Sequence, residues 1–341
     1  MAEKSINQVL SLIQPTGDIH LGNYLGAVRN WCDIQHLYPC VFGVADLHAM
    51  TMPYDSKKLR EASWKMVYQL LAAGIKYENL FVQSLIPEHM ELSWMLSSVC
   101  SYGELSRMVQ FKDKSNFIKE SGGKDELISS ALFFYPILQA ADILIYKADH
   151  VPVGKDQDQH LELARSVAQR FNSAFNVKYF TPPQPLYTEV PKVLSLANPA
   201  KKMSKSLGDK HVINIFDDPA RIQKQVNSAV TDSGDADPSQ MSPGVANLFQ
   251  ILAVSGAHEA HKKLTEDYKN GRLLYSELKA AVSEYLLAFL EPIQQRYVEI
   301  TSDKRTYRDQ VKESSYQIRK KAQQTVREVR EITGLQNVKY S

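Results

Sequence analysis

Cysteine is scarce in this chain of 341 residues: only Cys32, Cys40 and Cys100 occur, scattered and in no Cys-x-x-Cys arrangement. An odd, unpatterned set argues against a disulfide framework. It gives no reason to expect zinc or an iron–sulfur cluster, and it suits a reducing compartment. No apolar run approaches the roughly 20 residues needed to span a bilayer, so no membrane partner is expected. Met1 to Gln8 has neither an apolar signal core nor Arg-rich transit character, and the expected location is cytoplasmic. An excess of one charge is missing too. Lys and Arg number 40 against 38 Asp and Glu, so any basic surface must be local. Internal repeats and low-complexity tracts are absent. The hydrophobic content, 44%, is that of a globular protein, and the length suits one large or two ordinary domains.

In the first half, short apolar runs alternate with helical patterning. Val9 to Ile13 reads as a buried strand ending at Pro15-Thr16-Gly17, and Leu21 to Ile34 as a helix. Cys40 to Ala45 is a second strand with Asp46-Leu47-His48 at its end; Glu61 to Ala73 is helical; Leu80 to Gln83 is a third strand. Strands alternating with helices predict an α/β fold with a parallel sheet, whose ligands sit beyond the carboxyl ends of the strands. Lys112 to Asp125 is polar and reads as a mobile loop. Leu127 to Tyr146 and Asp158 to Phe171 are helical, and Thr181 to Pro185 is a rigid connector. After Ser206 strand signals fade. Asp218-Pro219 starts a helix, Thr231 to Pro243 is a loop, Pro292 is expected to interrupt a helix, and Gly334 to stop one.

Two short segments carry chemistry. Gln14 to Asn23 forms a turn after a strand and opens a helix. Its Gly22 lets a flat ring or phosphate approach the backbone, the helix start favours anions, and His20 is a donor that could bear charge near a phosphate. On these residues alone, a plain strand–turn–helix connection stands equally open. Lys202-Met203-Ser204-Lys205-Ser206 sets two cations three residues apart with hydroxyls beside them, suited to gripping a departing pyrophosphate. Composition alone would also fit a solvated loop.

The order of these segments, a His-x-Gly-His-like element (His20 to Asn23) followed by Lys202 to Ser206, resembles the paired signature of class I aminoacyl-tRNA synthetases. Ile13 to Gly17, Gly22 to Ala27, Tyr135 to Leu144, Val151 to Gln157 and Ala229 to Ser233 are similar to bacterial-type tryptophanyl-tRNA synthetases. The resemblance covers essentially the whole chain. It implies a Rossmann-like parallel-sheet catalytic domain over 1–206, with an insertion at about 105–135. An all-α tRNA-binding domain over 207–341 would follow, the whole forming a homodimer. ATP and L-tryptophan are the implied small substrates, tRNA(Trp) the partner, and Mg²⁺ arrives on the ATP phosphates with no metal held by protein side chains. By resemblance, Gln14, Pro15, Thr16, Gly22, Asn23 and Val193 contact ATP, Gly154, Lys155 and Asp156 its ribose, and Met203 and Ser206 belong to the lysine loop. His20, Lys114, Lys202, Ser204 and Lys205 are the implied catalytic set. Asp142 would accept the indole N–H, with Tyr135, Gln157, His48 and Gln139 around the amino acid. Asp142 lies in an apolar helix, where a carboxylate is costly unless paired. His48 reads equally as a core histidine.

This chain departs from the family's pattern at Leu10-Ser11-Leu12, where Phe-Ser-Gly is usual, at Gln139, and at Leu207-Gly208-Asp209. Basic residues Arg319, Lys320, Lys321, Arg327 and Arg330 recur along one predicted helix and suggest phosphate contact, or else a solvated face with i,i+4 pairs. A tyrosyl-tRNA synthetase is the nearest rival. A synthetase-like paralogue that binds RNA without charging it, and a small nucleotidyltransferase, are the others.

Overall fold

The computed structural model describes residues 6–108, 129–152, 158–187, 191, 193–231 and 241–337. Five strands form one parallel sheet: β1 (Val9–Ile13), β2 (Cys40–Val44), β3 (Leu80–Val82), β4 (His150–Pro152) and β5 (Gln184–Leu186), in the order β3-β2-β1-β4-β5. The order reverses direction at β1, so the crevice beyond β1 and β4 is the expected ligand position in such a sheet. β1 and β4 pair only at Val9 with His150, and the strands part beyond that point.

Strand residues alternate between two cores. Val9, Phe42, Val44, Leu80 and Val82 face one, while Leu10, Val41, Phe81 and Val151 face the other. The first is closed by α4 (Ser56–Ala73), which starts at the Asp55 cap and stops at Gly74 with φ 114°. The second is closed by α5 (Glu88–Ser97), α7 (Ser130–Ile145) and α8 (Asp158–Ala174). Between β1 and β2 the chain passes through α1 (Leu21–Asn23), a π-helical stretch Tyr24–Val28, and α2 (Arg29–Ile34). Helices α3 (Asp46–Ala49) and α6 (Tyr102–Ser106) are short.

The C-terminal part contributes α9 (Pro219–Asn227), α10 (Pro243–Val254), α11 (His258–Lys269), α12 (Tyr275–Ser302) and α13 (Lys304–Thr333). Asp218 caps α9 with Pro219 at its start, and Gly334 ends α13 with φ 78°. Residues of α9 to α12 join the first core, whereas Ala322, Val326 and Val329 of α13 join the second. Thus α13 passes over the open edge of β3, where the Ser315 hydroxyl accepts from the Val82 N–H at 3.3 Å.

Two expectations are corrected. Pro292 lies inside α12 without ending it. A proline in a helix interior costs about 3 kcal/mol. The buried stripe Leu278, Val282, Leu286, Leu290 and Ile293 holds the helix together across it. The connector at Thr181 to Pro185 runs into strand β5. Pro185 is tolerated there because β5 is an edge strand, which needs N–H donors on one side only.

Candidate active site

The turn after β1 and the lysine loop, far apart in the chain, meet in space. Gly17 sits at φ 123°, and a Cβ there would lie 3.0 Å from Lys205 Nζ. A Cβ on Gly22 would lie 3.1 Å from the His20 ring and 3.4 Å from Met203 Cβ. Glycine is favoured at the first place by its left-handed φ and at the second by the close His20 ring, and both positions lie against the lysine loop. The Leu21 N–H donates to Ile213 O at 2.8 Å and the Ile215 N–H to Ile19 O at 3.2 Å, tying the turn to the segment after the lysine loop. At the root of the loop, Leu194 bridges Lys202 in antiparallel fashion and the Met203 N–H donates to Val193 O at 3.2 Å. Val193 and Met203 are buried in the first core, while Lys202 is exposed and Ser204 and Lys205 are half-buried.

Asp18 links this region to α4. Its carboxylate pairs with Lys65 at 2.5 Å and accepts from Gln69 Nε2 at 2.8 Å and Asn214 Nδ2 at 3.1 Å. Burial pulls the Lys205 ammonium down to about 8, with Asp18 opposing that shift. Burial, aided by the charge of Lys205, pulls His20 down to about 4. The imidazole is neutral near pH 7, and its Nδ1 accepts from the Asn23 N–H at 3.2 Å as a helix cap.

The lowered Lys205 value has a testable sign. A lysine depressed from 10.5 to about 8 is charged below pH 8 and loses its proton above it. Since kcat/KM reports the free enzyme, kcat/KM for ATP in pyrophosphate exchange is expected to be flat below pH 8 and to fall above it. Lys205→Arg should move that limb to higher pH. An unchanged limb would assign it to another group.

A cavity of 360 Å³ opens where β1 and β4 part, lined by Leu10 to Gln14, Val151 and Pro152 with Ala45, His48, Tyr135, Gln139 and Asp142. Its size falls in the range of about 300–1,000 Å³ usual for small-molecule sites. Gln14 belongs both to this lining and to the signature turn, whose Gly17 meets Lys205. Asp142, 1% exposed on α7, accepts from Gln83 Nε2 (2.8 Å) and His89 Nδ1 (2.6 Å) on Oδ1 and from His48 Nε2 (2.8 Å) on Oδ2. Burial alone would raise its carboxyl, but the donated hydrogen bonds of His48 and His89 outweigh it and bring it down to about 2. An ionised acceptor therefore faces the cavity. His48, left open between pocket and core by the sequence, both lines the cavity and holds Asp142. The Tyr135 hydroxyl lies 2.9 Å from His160 Nε2.

The unusual Leu10 and Leu12 both line the cavity. Leu12 pairs in register with Gly43 of β2, where a Cβ would stand 3.0 Å from Leu12 Cγ and 2.6 Å from the Phe81 ring. The bulk of Leu12 is accommodated by the absence of a side chain across from it. Sequence reasoning missed Asp18, Lys65, Gln69, Gln83, His89 and Tyr146. Lys114, Gly154, Lys155, Asp156 and Gln157 lie outside the described residues, as do the Lys112 to Asp125 loop and the Ser206 side chain.

The basic stripe on α13 is also partly corrected. Arg319 Nε donates to both oxygens of buried Glu88 at 2.9 Å, Lys321 reaches Gln8 Oε1 at 2.7 Å, and Arg330 pairs with Glu91. These cations anchor the helix to the sheet-bearing part, while Lys320 and Arg327 remain exposed.

Comparison with known proteins follows the same lines. The family described as tRNA synthetases class I (W and Y) matches residues 3–291. A tryptophan–tRNA ligase from Caldanaerobacter subterraneus subsp. tengcongensis is 41% identical over 335 residues, covering 97% of this chain and 99% of the relative. One from Helicobacter pylori is 43% identical over 301 residues, covering 87% and 89%. The crystal structure of the tryptophanyl-tRNA synthetase from Campylobacter jejuni, complexed with ADP and tryptophan, superposes with a TM-score of 0.83 at 33% identity. That superposition covers 96% of this chain and 100% of the other.

Proposed function

We propose, from the premise that this chain belongs to the class I tRNA synthetases for tryptophan and tyrosine, that it is the tryptophan–tRNA ligase of its source. It activates L-tryptophan with ATP to tryptophanyl-AMP and pyrophosphate, and the 3′-terminal ribose hydroxyl of tRNA(Trp) then takes the acyl group as the acyl–phosphate bond breaks and AMP leaves. The observation that carries this reading is the Lys205 ammonium against the Gly17 turn, whose Gln14 lines a cavity with an ionised Asp142 at its wall.

In the first step the tryptophan carboxylate attacks the α-phosphorus of ATP and the bond to the pyrophosphate oxygen breaks. Negative charge grows on the leaving group, and Lys202 and Lys205, with Lys114 by resemblance, stabilise it. No protein nucleophile is required, so acceleration comes from positioning and preorganised charge. Asp142 accepts the indole N–H, a donor only. Mg²⁺ enters with the ATP phosphates. The carboxylates that act on Lys205 suit that arrangement, because Asp18 is engaged by Lys65, Gln69 and Asn214, and Asp217 by Arg221 and Asn214.

The C-terminal helices 207–341 bind the tRNA, and exposed Lys304, Arg305, Lys312, Lys320 and Arg327 on α13 support a phosphate contact there. The enzyme acts as a homodimer. In support, Met90, Trp94 and Phe134 stand 49%, 77% and 46% exposed around an apolar hollow between α5 and α7. No described helix is long and apolar enough to cross a membrane, and the enzyme works in the cytoplasm. The test is charging of a tRNA(Trp) transcript with labelled tryptophan. Tryptophan-dependent ester formation is expected. Tryptophan-dependent pyrophosphate exchange without any charging would mark a paralogue of another role.

A further inference from the structure

A carboxylate offers about four acceptor sites, two on each oxygen. In Asp142, Oδ1 receives two donors, Gln83 Nε2 and His89 Nδ1, while Oδ2 receives one, His48 Nε2. The open acceptor site is therefore on Oδ2, the oxygen shared with cavity-lining His48. His89 is 0% exposed and lies behind the carboxylate rather than in the cavity wall. Its ring is held on every side. Phe81 stacks on it at 5.5 Å with an interplanar angle of 14°, and Tyr146 OH lies 2.8 Å from Nε2. An ionised carboxylate supplies no proton, so His89 Nδ1 carries one. Burial keeps the Tyr146 hydroxyl protonated, with the charges of Asp142 and Glu88 acting in the same direction. That hydroxyl fixes the far edge of the His89 ring. Gln83 adds a second tie, since its Oε1 accepts from the Leu47 N–H of α3, the helix that carries His48, at 3.2 Å.

We propose that His89, held in place by Tyr146, is a positioning residue for substrate selection: it saturates Asp142 Oδ1 from behind and so turns the open acceptor site of Oδ2 toward the indole N–H. The inference rests on the reading of Asp142 as the indole acceptor. His89 touches no substrate atom and acts through Asp142.

The titratable groups that face the carboxylate are His48 on α3 and His89 on α5, with Tyr146 behind His89 and Glu88 acting on Tyr146. Removing the His89 donor leaves the burial of Asp142 with less to oppose it, so its proton is lost at higher pH. In pyrophosphate exchange, His89→Leu is expected to raise KM for tryptophan roughly tenfold, as for a lost hydrogen bond to a charged group. The kcat value and KM for ATP should change little. It should also give kcat/KM for tryptophan an acid limb between about pH 5 and 7 that the unaltered enzyme lacks. His89→Asn, which can return an N–H to the Nδ1 position, should restore much of the KM and remove the limb. Tyr146→Phe, the milder change, should show the same limb with a smaller rise in KM, and it carries the test if His89→Leu does not fold. A fall in kcat and thermal stability with KM unchanged and no acid limb would reduce His89 to a structural residue and overturn the inference. Asp142→Asn separates the two readings. If it leaves KM for tryptophan unchanged, the acceptor role itself fails. If it raises KM while the His89 and Tyr146 variants do not, only the positioning role fails.

Discussion

Lys205→Ala is expected to slow tryptophan-dependent ATP–pyrophosphate exchange by about 10²- to 10³-fold, the cost of removing one preorganised group from a developing charge. Tryptophan affinity should stay unchanged, because Lys205 meets the Gly17 turn and does not line the cavity that Asp142 faces. The effect should fall on kcat more than on KM for ATP. Charge on the pyrophosphate grows as the bond breaks, and an interaction stronger in the transition state than in the ground state acts on the rate. The alanine variant should fold normally, since Lys205 is half-buried and its main neighbour, Asp18, keeps Lys65, Gln69 and Asn214. Steady-state exchange with each substrate varied in turn, together with fluorescence titration of tryptophan, separates these terms. Equal exchange by the variant would remove the loop from the chemistry.

Asp142→Asn is the second large effect. The carboxamide has the same shape but only one oxygen, so its NH₂ must face either the donors His89 and Gln83 or the donor His48 and the indole. Whichever way it turns, donors oppose donors at a buried position. KM for tryptophan is expected to rise about 10- to 100-fold, the range for losing a hydrogen bond to a charged group. A lower unfolding midpoint in urea should accompany it, because the buried histidines lose their charged partner. Unaltered tryptophan use would remove Asp142 from recognition and leave it a structural carboxylate.

Both predictions depend on residues that were visible in the sequence, while their surroundings were not. Lys205 and the Gly17 to Asn23 turn stand out as strings, and β1 and β2 are legible because a strand buried on both faces reads as a continuous apolar run. Asp142 is conspicuous as a carboxylate inside an apolar helix. Its donors are 94, 59 and 53 residues away in the chain, so no local spacing points to Gln83 or His89. The charge state of His20 was equally hidden, since its cause is burial beside Lys205, which only the folded chain creates. Strands β4 and β5 escaped because each is short and carries a proline, Pro152 and Pro185, where β3 is wholly apolar, and Pro185 argued against a strand until its edge position was known. The cations of α13 illustrate the reverse error. Arg319, Lys321 and Arg330 resembled a phosphate-binding stripe, but Glu88, Gln8 and Glu91 take them up across the interface with the sheet-bearing part.

The most direct test of the central claim, that the lysine loop and the Asp142 cavity form one tryptophan-activating site, is ATP–pyrophosphate exchange against each of the twenty amino acids. The account predicts exchange with tryptophan alone, slowed by the factor given above in Lys205→Ala and shifted to higher tryptophan concentration in Asp142→Asn. Exchange driven by tyrosine, or none with any amino acid, would contradict it.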